Sequence, residues 1–185
     1  MRGALFSRLL LARKGRLCYT LVEVKDMSKE AQKDFNAMLH RENGMPKLQI
    51  VTDPAVIARY GGARMFFAPA LAYDEIMRRV PAGRVLTVGA IRDYLARQNG
   101  ADFTDPMTAG IFISIAAWAS SQRGEDPTPY WRTLKAAGEL NPKYPGGVQD
   151  QKAKLEAEGH TVIQRGRTHM RYFVKDYEAV LFQLT

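Results

Sequence analysis

The chain has 185 residues, a formal charge of +8, a pI near 9.7 and 46% hydrophobic residues. That suffices for one domain with a real core, and the basic balance favours an acidic partner, nucleic acid or an anionic surface. A single cysteine, Cys18, excludes an internal disulfide framework and fits the reducing cytoplasm; no apolar run approaches the roughly 20 residues that cross a bilayer, and His40, His160 and His169 are too scattered for a zinc site.

Residues 1–26 form a basic tail. Arg2, Arg8, Arg13, Lys14, Arg16 and Lys25 against Glu23 and Asp26 give it +4, half of the net charge. It reads as a targeting-like or unstructured segment, or as untranslated sequence ahead of a start at Met27, and it is set aside from the fold. Residues 27–70 read as a packing extension. Ser28 is placed to cap a helix running to about Glu42, with Phe35, Met38 and Leu39 on one face. Leu48–Val51 is a short strand, Thr52 or Asp53 caps a brief helix with Pro54 in its first turn and Gly61-Gly62 at its end, and Ala63–Phe67 is extended.

From Leu71 or Tyr73 to Arg79 a helix presents Ile76, Met77 and Val80 inward and Arg78 and Arg79 outward. Pro81-Ala82-Gly83 turns the chain, and Thr87 caps a helix over 88–98 whose buried stripe is Ile91, Tyr94 and Leu95. Asn99-Gly100 stops it. Asp105-Pro106 opens the next helix, which ends near Ser121. Two helices joined by a short link fit a helix-turn-helix with the second in the recognition position. That second helix holds no Lys or Arg between Asp105 and Gln122, and it is apolar nearly all round. Met107 and the Ile/Phe run therefore read as core, with Met107 as a DNA wedge the competing assignment.

Pro129-Tyr130-Trp131-Arg132 places two large aromatics after a proline that holds the backbone extended. Thr133-Leu134 reads as a strand and Lys135–Gly138 as a turn. Tyr144-Pro145-Gly146-Gly147 precedes a helix over 148–158 closed by Gly159. Thr161–Gln164 and Met170–Val174 read as a hairpin tipped by Arg165 and Arg167, either a wing that meets phosphates or a solvated turn. Asp176 caps a final helix with Tyr177, Val180, Leu181 and Leu184 packing back. The expected fold class is α+β: a mostly helical, winged helix-turn-helix-like domain over 71–185, with short strands and hairpins, behind the 27–70 extension.

These motifs resemble the O6-alkylguanine-DNA alkyltransferases. Pro129-Tyr130-Trp131-Arg132 stands where that family carries Pro-Cys-His-Arg. Tyr144-Pro145-Gly146-Gly147-Val148 is similar to its Tyr-x-Gly-Gly-Leu loop, and Glu158-Gly159-His160 to its Glu-Gly-His helix end. Val80–Thr87 resembles its entry to the helix-turn-helix. The likeness runs from about Leu71 to about Ile163 and points to the alkyltransferase-like branch, whose members lack the acceptor cysteine and bind damaged DNA without repairing it.

Alkyl transfer needs a thiolate activated by a Cys–His pair. Tyr130 is a phenol with a reference pKa of about 10, and the indole of Trp131 cannot act as a base. The resemblance thus implies a non-enzymatic protein with no catalytic residue, cofactor or metal. It implies a lesion pocket built from Tyr130, Trp131, Arg132, Tyr144, Pro145, Gly146, Gly147 and Glu158, with the flipped base between Trp131 and the Tyr144–Gly146 loop. It places DNA contacts at Thr87, Val88, Met107, Thr108, Arg165 and Arg167. Met107, or Thr108 on a one-residue slip, stands where the family inserts an arginine, and Val88 where it has a phosphate-turning tyrosine. The expected partners are double-stranded DNA, alkylated at the site, and a repair protein, with no membrane. The alternative is a protein-interaction or small-ligand module on the same scaffold.

Overall fold

Local capping chemistry sets most of the element boundaries. The computed structural model describes residues 33–185; the basic tail 1–26, the Met27 start, Cys18 and the Ser28 cap lie outside the described residues. Helix α1 (Phe35–Leu39) is capped by Asp34, whose carboxylate accepts from Ala37 N. It is shorter than the sequence reading, and only Phe35 and Leu39 are buried. Strand β1 (Lys47–Ile50) leads to α2 (Pro54–Tyr60), which Asp53 caps through Ala55 N and Gly61 ends in a left-handed turn. Strand β2 (Arg64–Phe67) and α3 (Ala70–Arg78) follow.

Strand β3 (Leu86–Thr87) feeds α4 (Val88–Gln98), with the Thr87 hydroxyl accepting from Ala90 N as expected. Strand β4 (Phe103–Thr104) precedes α5 (Pro106–Gln122), capped by Asp105 through Thr108 N. After a 3-10 turn at Tyr130–Arg132 come β5 (Thr133–Leu134), α6 (Gly147–Ala157) and the hairpin β6 (Val162–Arg165) and β7 (Arg171–Val174). The final helix is only a 3-10 turn at Tyr177–Val180: Asp176 makes no side-chain cap and itself sits at φ 51°. The chain end instead reaches Val85, where Phe182 N donates to the Val85 carbonyl.

The architecture is mixed α+β, with three small sheets. In the first, β2 lies between β1, antiparallel, and β4, parallel. β3 pairs in parallel with β5, and β6 with β7 antiparallel. Helix α5 is the centre of the larger core. Ala109, Ile113, Ala116, Ala117 and Ala119 are buried to zero exposure, and α1, α3, α4 and the Tyr130–Arg132 turn pack on it. Its small residues let these neighbours approach on several sides, and each fully buried Ile or Met side chain adds about 1.5–3 kcal/mol. A second, smaller core joins Val85, Leu134, Leu140, Leu155 and Val174 beneath α6 and the hairpin.

One buried charge ties α3 to the loop that follows α5. Asp74 on α3 is 1% exposed. It accepts from Arg123 Nη2 (2.9 Å), Thr128 Oγ1 (2.6 Å) and Arg78 Nε (3.0 Å). The expected outward-pointing Arg78 is instead half-buried, bridging buried Asp74 and exposed Asp126, while Arg79 is exposed as expected. This network fastens the 123–129 loop, which delivers Tyr130, to the back of α3.

Candidate nucleic-acid interface

The 3-10 turn at Tyr130–Arg132 and the N-terminal end of α6 face one another. Gly146 and Gly147 have φ of 71° and 65°, so a left-handed turn requires glycine at both positions. The missing Cβ of Gly147 faces open space, while one at Gly146 would strike the Asp150 side chain. The glycines thus serve the turn into α6 and the close seating of Asp150.

The space expected between Trp131 and the Tyr144–Gly146 loop is occupied by the Tyr130 ring. Tyr130 is 3% exposed and Tyr144 2%. The Tyr130 ring meets both Trp131 and Tyr144 edge-on, at 5.5 Å between centroids in each case. Tyr144 OH donates to the Thr133 carbonyl (3.1 Å), and Pro145 is buried with it. Lys154 covers the outer side: its ammonium donates to Tyr130 OH (2.8 Å) and Asp150 Oδ2 (2.6 Å), and it lies over the Tyr130 and Trp131 rings at 4.9 and 5.3 Å. Burial pushes the Tyr130 hydroxyl above the ordinary phenol value despite Lys154, so the oxygen stays protonated and weakly nucleophilic near neutral pH.

Glu158 holds the other side together. Its carboxylate accepts from the Trp131 indole N–H (2.8 Å) and from Arg132 Nε and Nη2 (2.9 and 2.8 Å), while Arg132 Nη1 donates to the Val80 carbonyl (2.6 Å). The indole acts here as a donor only. Burial works to raise the Glu158 pKa, but hydrogen bonds from Arg132 and Trp131 outweigh it and hold the group below the ordinary carboxylate range. Asp74 shows the same balance, burial opposed by Arg123, Thr128 and Arg78, with the same result.

The sign of the pH dependence follows. A carboxyl with a lowered folded pKa contributes stability that is fully present above its unfolded value near pH 4 and is lost as pH falls through the folded value. Glu158→Gln should therefore melt well below wild type at pH 7, with the gap closing at pH values below about 4. Thermal melts of both proteins across pH 2–7 read this directly; a gap independent of pH would show that the carboxylate charge is not what binds Arg132 and Trp131.

The residues expected to meet DNA divide. Thr87 spends its hydroxyl on the α4 cap, and Val88 is half-buried against the core. The Thr108 hydroxyl is buried without a hydrogen-bond partner among the described residues. Met107 corrects the core assignment: it is 74% exposed, and Ile111, one turn on, is 52% exposed. Helix α5 is buried along most of its length, yet its N-terminal tip projects apolar side chains into solvent. At the hairpin, Arg165 is exposed with its guanidinium 5.2 Å from the Phe173 ring centroid, and Arg167 is exposed at the tip.

Three members of the site were not singled out from sequence. Gln151, fully buried, donates to the Trp131 carbonyl (3.0 Å) and accepts from Asn141 N (2.7 Å), pinning two loops to α6. It falls four residues before buried Leu155, a spacing that marks the inner face of the helix. Asp150 and Lys154 form an i,i+4 pair on the same helix, readable as an ordinary surface pair.

Among the described residues no cluster of three or more His, Cys, Asp or Glu is placed to hold a metal, and no helix is long and apolar enough to cross a membrane. No family model matches the chain, and no curated protein matches it. Two solved structures from S. pombe are similar. One is Atl1 in complex with damaged DNA containing O6-carboxymethylguanine, at 20% identity and a TM-score of 0.45. The other is ATL in complex with DNA, at 22% identity and a TM-score of 0.45. Each match covers 62% of this chain and 94% of that chain.

Proposed function

We propose that this is a non-catalytic DNA-binding protein of the alkyltransferase-like type, which engages duplex DNA at O6-alkylguanine or a related base lesion, extrudes the base and marks the site for repair proteins. The observation that carries the reading is the exposure of Met107 and Ile111 at the tip of the second helix of a helix-turn-helix. A large apolar side chain held out on a rigid, deeply packed helix is costly to leave in water. It is suited to entering a base step, where apolar wedges unstack and kink a duplex. Arg165 and Arg167 on the hairpin supply phosphate contacts. The absence of transfer follows from chemistry: Tyr130 offers a buried, protonated phenol, and Trp131 offers no base.

A gel shift at low salt tests this. Duplex with O6-methylguanine should bind more tightly than plain duplex, and Met107→Ala should weaken binding to the lesion duplex by about ten-fold or more while leaving the melting temperature within a degree or two, since exposed positions barely affect stability. Equal binding of the two duplexes by wild type, or full binding by Met107→Ala, would count against the wedge. A protein-docking face is the second reading. It is favoured by the cation-free tip of α5 and by Leu48 and Ile50, 49% and 60% exposed on β1; absence of any duplex binding would leave it standing.

A further inference from the structure

Strand β1 is the edge of the first sheet, and its spare bonding groups can be assigned. On β2 the Arg64 and Phe66 carbonyls accept from Asp102 N and Asp105 N, at either end of β4, so Met65 and Phe67 bond toward β1. Their mates in register are Gln49 and Lys47. Val51 N, two residues past Gln49, donates to the Ala63 carbonyl in the same sense. Bonding alternates along a strand, so the N–H and C=O of Leu48 and Ile50 point away from the sheet, and no described residue meets them. Their side chains are in water too, 49% and 60% exposed, although Leu48 stands opposite buried Phe66. An edge with free ladder groups and bare apolar side chains is a template for another strand.

The strand is complementary to itself. Residues directly opposite in an antiparallel pair share a face, and a twofold contact sets residue i against j and j against i. With the axis through Gln49, Leu48 lies opposite Ile50 of a second copy, and Ile50 opposite its Leu48. These are hydrogen-bonded pairs, because both residues turn N–H and C=O to the seam, and their apolar side chains cover one another on one face. On the other face Lys47 stands opposite Val51 and diagonal to Asp53 of the second copy, within reach of a long side chain. Lys47 and Asp53 are both exposed, and Asp53 is still extended, at φ −72° and ψ 116°. Sliding the copies to the next such register loses the match. It sets Ile50 against Pro46, which has no N–H, or Leu48 against Thr52.

We infer that β1 is the seam of a homodimer, an antiparallel β1–β1 pair about a twofold axis at Gln49 that joins the first sheets of two copies into one. The inference concerns a surface of its own and stands whether or not the protein binds duplex DNA. Hydrogen bonding, apolar contact and opposite charge all select the same occupant and the same register. The seam has one strand of 4 residues from each copy. Its area lies at the low end of specific contacts, so the dimer should form at about 10–100 μM and not at nanomolar concentration.

Sedimentation equilibrium of the full chain from about 1 to 500 μM reads the association. Wild type should pass from monomer to dimer and go no further, since a twofold seam leaves no free edge on β1. Leu48→Pro removes a donor that faces the seam and none that faces β2, a position where edge strands accept proline. It should weaken association by about ten-fold or more, one donor being lost from each copy, and leave the melting temperature at low concentration near that of wild type. Ile50→Lys sets a cation against Leu48 of the second copy, should weaken association to a similar degree, and serves if the proline variant melts early. Cysteines read the register, with Cys18→Ser as background. Gln49→Cys falls on the axis in a non-hydrogen-bonded pair, with Cα atoms about 4.5 Å apart, and should close an intermolecular disulfide under mild oxidation. Leu48→Cys, about 7–8 Å from its own mate, should not. A monomer across the whole range, a dimer that both seam substitutions leave intact, or equal cross-linking from the two positions overturns the inference.

Discussion

Asp74→Ala is expected to lower the unfolding free energy by about 3–5 kcal/mol, the cost of removing one partner from a buried, paired charge. Asp74 is 1% exposed and meets Arg78, Arg123 and the Thr128 hydroxyl. Deleting the carboxylate leaves the Arg123 guanidinium half-buried against Thr128 alone, and Thr128, itself fully buried, loses its acceptor. Asp74→Asn, which keeps an acceptor and the shape but not the charge, should fall between. Urea unfolding measures this as a shift in midpoint at unchanged slope. Because the network anchors the 123–129 loop, Asp74→Ala should also loosen Tyr130 and its neighbours, visible as faster amide exchange of 128–132. A loss below 1 kcal/mol would mean the arginines find water as readily as they found Asp74.

The second large effect concerns the filled cleft. Tyr130→Ala should cost about 3–5 kcal/mol, the range for removing a buried aromatic, because the ring is wedged edge-on between Trp131 and Tyr144. Tyr130→Phe, which keeps the ring and drops only the bonds to Lys154 and Asp150, should cost about 0.5–1.5 kcal/mol. The alanine variant leaves an aromatic-walled hollow, and a small planar apolar probe such as indole should raise its melting temperature while leaving wild type unchanged. An unaltered stability of Tyr130→Ala, or equal stabilisation of both proteins by the probe, would show that the cleft is open in the native protein.

How much of this could be read from sequence depended on how local the deciding physics is. The helix-turn-helix was legible because Thr87 and Asp105 cap through atoms three residues away, and the α4 stripe of Ile91 and Leu95 is set by its own period. Met107 was not. A helix that is apolar all round has no preferred face, so only the tertiary packing of α1, α3 and α4 decides which side chains stay outside. The aromatics at 130, 131 and 144 touch one another, but aromatic type does not distinguish lining a hollow from filling it. The difference is made by Lys154 and Asp150, whose spacing looks like an ordinary surface pair. The shared use of Glu158 by Trp131 and Arg132 required the fold, since the two bonds span 27 and 26 residues.

The tip of α5 carries no cation from Asp105 to Gln122. In the duplex complex we propose, Met107 and Ile111 would therefore displace no condensed counterions, in contrast to the arginine–phosphate contacts proposed for the hairpin. Raising the ionic strength would strip the hairpin's contribution first, leaving the apolar insertion as the part of the grip that persists.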